Sequence, residues 1–265
     1  MSTNYEQIIV DSPAEHVSRL TLNRPEKRNA ISATVRHEMF AALQANDDDP
    51  AVHITIVRGA GPCFSAGYDL SGGLMDDVPY HTSAGDGRWS RHVTDGYFSI
   101  WDLAKPVIAQ VHGLCIAGAT ELAQSCDLVY VADDARISYP VVRVASPPDF
   151  PYHPTMLGMR RAMEIMLTGD EINGTEAVQI GWANKAFPAD ELDDRVLTVA
   201  KRIAAIAPDL TQLNKRGVHR QMDVLGTRAA IRAGSEFQAL ASHQLSVIEF
   251  RKDPLGAMKR ANKGG

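Results

Sequence analysis

Two stretches of this sequence are built alike, and together they constrain the fold more than any other feature. Residues 52–57 (VHITIV) and 107–111 (VIAQV) are short, β-branched, largely apolar runs, which read as buried strands. Each leads into a loop that brings a glycine to where a helix can begin. The first loop is Phe64-Ser65-Ala66-Gly67-Tyr68-Asp69. The second is His112-Gly113-Leu114-Cys115-Ile116-Ala117-Gly118-Ala119-Thr120-Glu121.

Further strands are predicted at 7–10, 17–22 and 128–132, the first two as a hairpin or adjacent pair. Ser32 can cap a helix running to about residue 45, with Val35, Met39, Phe40 and Leu43 as its buried stripe. Asp47-Asp48-Asp49-Pro50 reads as a solvated stop. Other helices are expected over 90–104 and 121–126. Strands alternating with helices indicate an α/β core with partly parallel pairing. Beyond about residue 155 the pattern is mostly helical, over 159–168, 175–180, 191–206, 210–225 and 227–247. The best boundary lies near Ala207-Pro208, giving a core over 1–206 and a helical region over 207–265. Residues 71–90, with several glycines and Pro79, read as a mobile surface segment.

Charge and composition exclude several function classes. In 265 residues there are 27 Lys+Arg against 32 Asp+Glu, a net charge of −5. That balance argues against a nucleic-acid binder, which shows a basic excess. Cys63, Cys115 and Cys126 form no C-x-x-C pair, so neither a zinc ribbon nor a disulfide scaffold is expected. The first residues show no basic segment followed by an apolar run, and no stretch has the length of a membrane span. These features point to a cytoplasmic protein with reduced thiols.

The chemistry resides in the two glycine loops. The first N–H groups of a helix lack internal partners and carry partial positive charge. Two such groups aimed at one point make an oxyanion hole. Taken alone, both glycines read more simply as tight turns, since glycine turns are common. Gly113-x-x-x-x-Gly118 is not a phosphate-binding P-loop, because no lysine follows Gly118. No dinucleotide fingerprint is present.

Leu22-Asn23-Arg24-Pro25, Phe64-Ser65-Ala66-Gly67-Tyr68-Asp69-Leu70, Lys105-Pro106-Val107-Ile108-Ala109 and Ala117-Gly118-Ala119-Thr120-Glu121-Leu122-Ala123 occur in order. Cys126-Asp127 and Met163-Glu164-Ile165-Met166-Leu167-Thr168-Gly169 follow. In this collinear set the sequence resembles the enoyl-CoA hydratase/isomerase family, the crotonase superfamily. The resemblance implies a spiral of ββα units with a C-terminal helical region that trimerises, as a homotrimer or a dimer of trimers. It implies an acyl-CoA thioester substrate, with coenzyme A as part of that substrate and no tightly bound cofactor or metal. By position, the backbone N–H groups of Tyr68 and Gly118 would hold the thioester oxygen as an enolate forms. Lys27, Arg28, Ala66, Gly67 and Asp69 match the region that receives coenzyme A. By charge alone, Lys27 and Arg28 are two solvated loop cations.

Relatives that hydrate enoyl-CoA use two glutamates. Glu121 matches the first, but the second position, in Tyr139-Pro140-Val141, holds Val141, which cannot transfer a proton. Eight residues later stands Asp149. Dienoyl-CoA isomerases, ring-opening and epoxide isomerases of phenylacetate breakdown, and an aryl-CoA dehalogenase place a working aspartate there. Asp149 is therefore the candidate second carboxylate, although an aspartate after two prolines also suits a turn. Arg143 is a candidate ion-pair partner for Asp149 or Glu121. His153 reads as a surface loop histidine.

Three readings follow. The first is hydration or double-bond isomerisation of an enoyl-CoA, with Glu121 as main acid/base and Asp149 as the second carboxylate. The second keeps the fold and makes Asp149 the centre of hydrolysis, dehalogenation or C–C bond chemistry. The third is a non-catalytic acyl-CoA-binding or assembly protein.

Overall fold

The computed structural model describes residues 5–71, 88–145 and 147–261, with only the backbone of Arg88. Most of the segment expected to be mobile, residues 72–87, lies outside the described residues.

β1 (Ile8–Ala14) and β2 (Val17–Leu22) form the expected antiparallel hairpin. α1 (Ala33–Asp48) follows, capped by Ser32, whose Oγ accepts from Val35 N at 3.1 Å. β3 (Ile54–Gly59) pairs in parallel with β2. It runs two residues beyond the expected end because Gly59 continues the register. A Cβ on Gly59 would lie 2.3 Å from Cys63 O, so only glycine lets the chain turn here. α2 (Arg88–Asp102), β4 (Val107–Val111) and β5 (Leu114–Ile116) come next. After them run α3 (Gly118–Ser125), β6 (Leu128–Ala132) and β7 (Arg136–Ser138).

The remaining elements are α4 (His153–Thr168), β8 (Ile172–Asn173), α5 (Gly174–Gln179), β9 (Lys185–Phe187) and α6 (Leu192–Ala204). They end with α7 (Pro208–Val224), α8 (Thr227–Ala241), α9 (Leu245–Lys252) and α10 (Pro254–Ala261). The six-stranded sheet has the order β1-β2-β3-β4-β6-β9, parallel from β2 onward. A second sheet, β5-β7-β8, is extended by bridges between Ser65 and Cys115 and between Ile31 and Tyr68. Successive turns of the chain thus give one strand to the large sheet, a short one to the small sheet, and then a helix.

Four expectations need correction. The helix placed at 121–126 begins at Gly118, because Ala117 holds φ 52°, ψ −121° and the backbone turns helical immediately after it. The long helix expected over 227–247 is two, α8 and α9, separated at Ser242-His243-Gln244. There Ser242 Oγ donates to Ala239 O at 2.6 Å and competes with helix propagation. The helical half also contains two strands, β8 and β9, too short to show a period of two. Finally, the acidic stop is not merely solvated. Asp47 accepts from Ala104 N at 3.1 Å and Lys105 N at 2.8 Å, stitching the end of α1 to the approach of β4.

The core lies between the large sheet and the helices. Leu20, Leu22, Ile54, Val57, Ile108 and Val131 are fully buried in it. α8 is tied to α2 by Arg228–Asp102 and Arg232–Asp95 ion pairs, each 2.7 Å. Gly234 lets α8 press onto Pro151, where a Cβ would lie 2.6 Å from the proline ring. These contacts bring the C-terminal helices over the segment that carries Asp149.

Candidate active site

The first glycine loop is held by backbone bonds on both sides. Ile31 N donates to Gly67 O at 2.8 Å, Asp69 N donates to Ile31 O at 3.1 Å, and Ala66 N donates to Arg28 O at 3.0 Å. The N–H of Tyr68 alternates to the other side of this strand-like segment. Among the described residues it has no partner.

The second loop meets the first at Gly67, whose φ is +88°. A Cβ there would lie 2.5 Å from Ile116 O and 3.2 Å from Gly118 N. The absence of a side chain is what lets the two loops abut, with the amides of Tyr68 and Gly118 close together. Gly118 N is the first orphan donor of α3 and likewise has no partner among the described residues. Ala117 holds it there from a conformation that alanine rarely adopts. Its N–H bonds Ser138 O at 3.0 Å, and its carbonyl accepts from Thr120 N at 2.8 Å and Thr120 Oγ1 at 2.7 Å. Such strain persists only where the surroundings over-determine the backbone.

A cavity of about 160 Å³ opens at these amides. Ala66, Tyr68 and Gly118 form one side, and Tyr139, Val141 and Asp149 another. Gln238 of α8 and Val247 and Phe250 of α9 complete it. Val141 lies in a short 3-10 turn over Pro140–Arg143, so the missing glutamate is replaced by apolar wall.

Two buried carboxylates belong to this region. Asp149 lines the cavity and is 6% exposed. Trp89 Nε1 donates to its Oδ2 at 3.1 Å, Ser90 Oγ to its Oδ1 at 3.2 Å, and Thr94 Oγ1 to its carbonyl at 2.9 Å. Burial raises the Asp149 pKa, against the bonds from Trp89, Gln238 and Ser90 and the charge of Arg36. Arg36 itself lies 4.8 Å from the centre of the Trp89 ring.

Glu121, on α3, is completely buried and does not line the cavity. Tyr68 Oη donates to its Oε2 at 2.9 Å. Tyr139 Oη at 3.1 Å and Phe150 N at 3.2 Å donate to its Oε1. Both tyrosines line the cavity and stand between it and the carboxylate. Tyr68 Oη also lies 3.0 Å from Tyr97 Oη, which donates to Gly118 O at 3.2 Å. Burial pushes the Glu121 pKa up to about 8, reinforced by the charge of Asp149 and opposed by these three hydrogen bonds.

The other candidates fall elsewhere. Ala66 lines the cavity, and Gly67 makes the loop junction described above. Asp69 pairs with Arg24 Nη1 at 2.8 Å and caps Ser71 N at 3.0 Å, which makes it a brace for the loop. The side chains of Lys27 and Arg28 are exposed, and the Arg28 carbonyl anchors Ala66.

Arg143 does not pair with Glu121 or Asp149. It bonds Thr168 O and Asp170 Oδ1, each at 2.7 Å, because the 3-10 turn directs it toward the end of α4. His153 is not a surface residue. It is 1% exposed and stacked on Tyr152 at 3.9 Å; among the described residues neither ring nitrogen has a partner, and burial lowers its pKa to about 3. Among the described residues no group of acidic, histidine or cysteine side chains is placed to hold a metal. No helix among them is long and apolar enough to cross a membrane.

Sequence reasoning named the two carboxylates and the two amides that meet here, but not Trp89, Ser90, Tyr97, Tyr139 and Gln238. A signal existed for part of this set: Ser90 and Tyr97, with Thr94 between them, recur at helical spacing as polar groups on a buried face.

Comparison with known proteins bears on the family and the fold. A family model described as enoyl-CoA hydratase/isomerase matches residues 13–251. A peroxisomal Δ(3,5)-Δ(2,4)-dienoyl-CoA isomerase of Arabidopsis thaliana is 33% identical over 215 residues, covering 76% of this chain and 77% of that protein. A mevalonyl-coenzyme A hydratase of Aspergillus fumigatus is 30% identical over 221 residues, covering 80% of this chain and 77% of that protein. The crystal structure of an enoyl-CoA hydratase from Mycobacterium smegmatis superposes with a TM-score of 0.89 at 30% identity, covering 98% of this chain and 94% of that one.

Proposed function

The chain belongs to the enoyl-CoA hydratase/isomerase family, and from that premise we propose that it moves protons on an acyl-CoA thioester through an enolate. The observation that carries this reading is the convergence of two unpartnered amides, Tyr68 N and Gly118 N, at a cavity that Asp149 also lines. Negative charge builds on the thioester oxygen when a proton leaves the α-carbon. Two fixed N–H donors stabilise it, each typically worth about 3–4 kcal/mol.

Glu121 is the main acid/base and Asp149 the second carboxylate. A carboxyl lifted toward neutrality by burial is suited to hold a proton and give it back. The reaction favoured by this site is double-bond isomerisation. Val141 leaves no carboxylate where hydration would need a second group to hold and activate water, and moving a proton between two carbons needs no water. Hydration of an enoyl-CoA is the second outcome of the same enolate chemistry. Coenzyme A is carried as part of the substrate, with Lys27 and Arg28 toward its phosphates, and no further cofactor is invoked.

We further propose a cytoplasmic protein organised as a core over 1–206 and a helical region over 207–265 that joins copies into a trimer or a dimer of trimers. Exposed Leu210, Leu213, Phe237 and Leu240 support an interface there.

The test is conversion of 2-enoyl-, 3-enoyl- and 3,5-dienoyl-CoA esters by purified protein. Shifted double bonds without added water are the expected product. Glu121→Gln retaining full activity on every substrate turned over would remove Glu121 from the mechanism. The exposure of Asp149 to the cavity also supports a second reading, in which it attacks the acyl group. A covalent Asp149 adduct in quenched reactions distinguishes that case.

A further inference from the structure

Glu121 has no direct face on the cavity. Its Oε2 is met by Tyr68 and its Oε1 by Tyr139 and Phe150 N. A proton passing between Glu121 and a bound acyl chain has to cross this shell. Building on the enolate reading above, we propose that the Tyr68 hydroxyl relays protons between Glu121 and the acyl chain.

Three observations select Tyr68. Its ring lines the cavity, and its own backbone amide is one of the two donors aimed at the thioester oxygen. The phenol therefore stands within one residue's reach of the carbons beside that thioester. Its hydroxyl also has two partners in line, Glu121 Oε2 at 2.9 Å and Tyr97 Oη at 3.0 Å. A hydroxyl that hands a proton to the acyl chain needs a group to resupply it, and Glu121 is already in contact, while Tyr97, whose own proton goes to Gly118 O, holds the phenol in place. Tyr139 Oη bonds Glu121 alone among the described residues. Lastly, the ring is fixed: it packs edge-on to Trp89 at 5.5 Å and covers Gly118, where a Cβ would lie 2.5 Å from Tyr68 Cε2.

The step balances. With Glu121 protonated, the Tyr68 O–H bond breaks and its proton goes to the enolate carbon, whose electron pair forms the new C–H bond. The phenol oxygen takes the Glu121 proton as it loses its own. Glu121 is left as a carboxylate accepting from Tyr68, the arrangement observed. In reverse, the phenol oxygen accepts a proton from carbon while its own passes to Glu121. Tyrosinate never accumulates, consistent with burial and the Glu121 charge holding the Tyr68 pKa well above its ordinary value.

The test is deuterium wash-in from solvent to enoyl-CoA esters by wild type, Tyr68→Phe and Tyr139→Phe, with a proton inventory in mixed H2O and D2O. Expected for Tyr68→Phe is an exchange rate lower by at least about 10²-fold, the usual range for a lost proton-transfer group, with KM unchanged. Two protons in flight make the wild-type inventory curved. Tyr139→Phe keeps that curvature. A linear wild-type inventory on a step that shows a substrate deuterium isotope effect overturns the relay, and this readout needs no variant to fold. Exchange by Tyr68→Phe at the wild-type rate overturns it too, while leaving the enolate reading intact. Wild type that washes deuterium into none of the esters overturns both.

Discussion

A Cβ added to Gly118 would stand 2.5 Å from Cε2 of Tyr68. The residue that opens α3 and the residue that closes the first loop are therefore in contact through a missing side chain. Their amides and the Tyr68 ring form one rigid unit. Gly118→Ala drives the Tyr68 ring away and tilts both donors. The expected result is a fall in kcat of about 10²–10³-fold, the cost of one misplaced oxyanion donor, read by steady-state kinetics on the best enoyl-CoA.

Ala117 occupies φ 52°, ψ −121°, a region that suits glycine. Backbone strain of this kind costs about 1–3 kcal/mol. Ala117→Gly relieves it, less the greater freedom glycine has in the unfolded chain. The variant should melt a few degrees above wild type in a thermal scan. A lower melting temperature would mean that the strain is not in the native state.

Burial lifts Glu121 from 4.5 to about 8, so between those pH values the folded chain binds a proton that the unfolded chain has released. The stability this contributes is fully present below 4.5 and is lost as pH rises through 8. Glu121→Gln has no such proton and lacks the slope. Urea midpoints at about pH 5 and about pH 8 should therefore move in favour of the variant at the higher pH. The limiting slope is about 1.4 kcal/mol per pH unit. Parallel pH dependence in the two proteins would contradict a proton held on Glu121.

The exposed side chains of Lys27 and Arg28 sit on the turn whose carbonyl anchors Ala66. If they meet the phosphates of coenzyme A, replacing both with alanine raises KM about 10-fold with kcat nearly unchanged. The effect should shrink as salt is added and vanish with a pantetheine thioester, which lacks the nucleotide. An equal effect on both thioesters would make them parts of the loop only.

The large sheet was legible in the sequence wherever strands are long enough to show their pattern. β2, β4 and β6 lie at the positions their apolar runs predict. β7, β8 and β9 were not, because two or three residues hold no period and form only against strands already in place. Both carboxylates could be named from spacing and resemblance. The tyrosine shell around Glu121 could not, since a buried tyrosine in sequence reads as packing and only the fold shows where its hydroxyl points. The start of α3 was hidden for a related reason: nothing in alanine as a residue type announces a positive φ at Ala117. His153 was misjudged because a histidine beside prolines suggests a loop, whereas here it sits at the start of α4 against two aromatic rings.

The cavity's far wall comes from Gln238, Val247, Phe250 and Met258, while its amides come from Tyr68 and Gly118. On a translating ribosome the two glycine loops emerge long before that wall does. β9, the last strand of the large sheet, also precedes α9 in the chain, so the sheet is complete in sequence before the cavity's far wall is. The cavity is therefore enclosed only once α9 and α10 have been made, and proteolytic nicking of those helices would open it while the strands of the sheet stay intact.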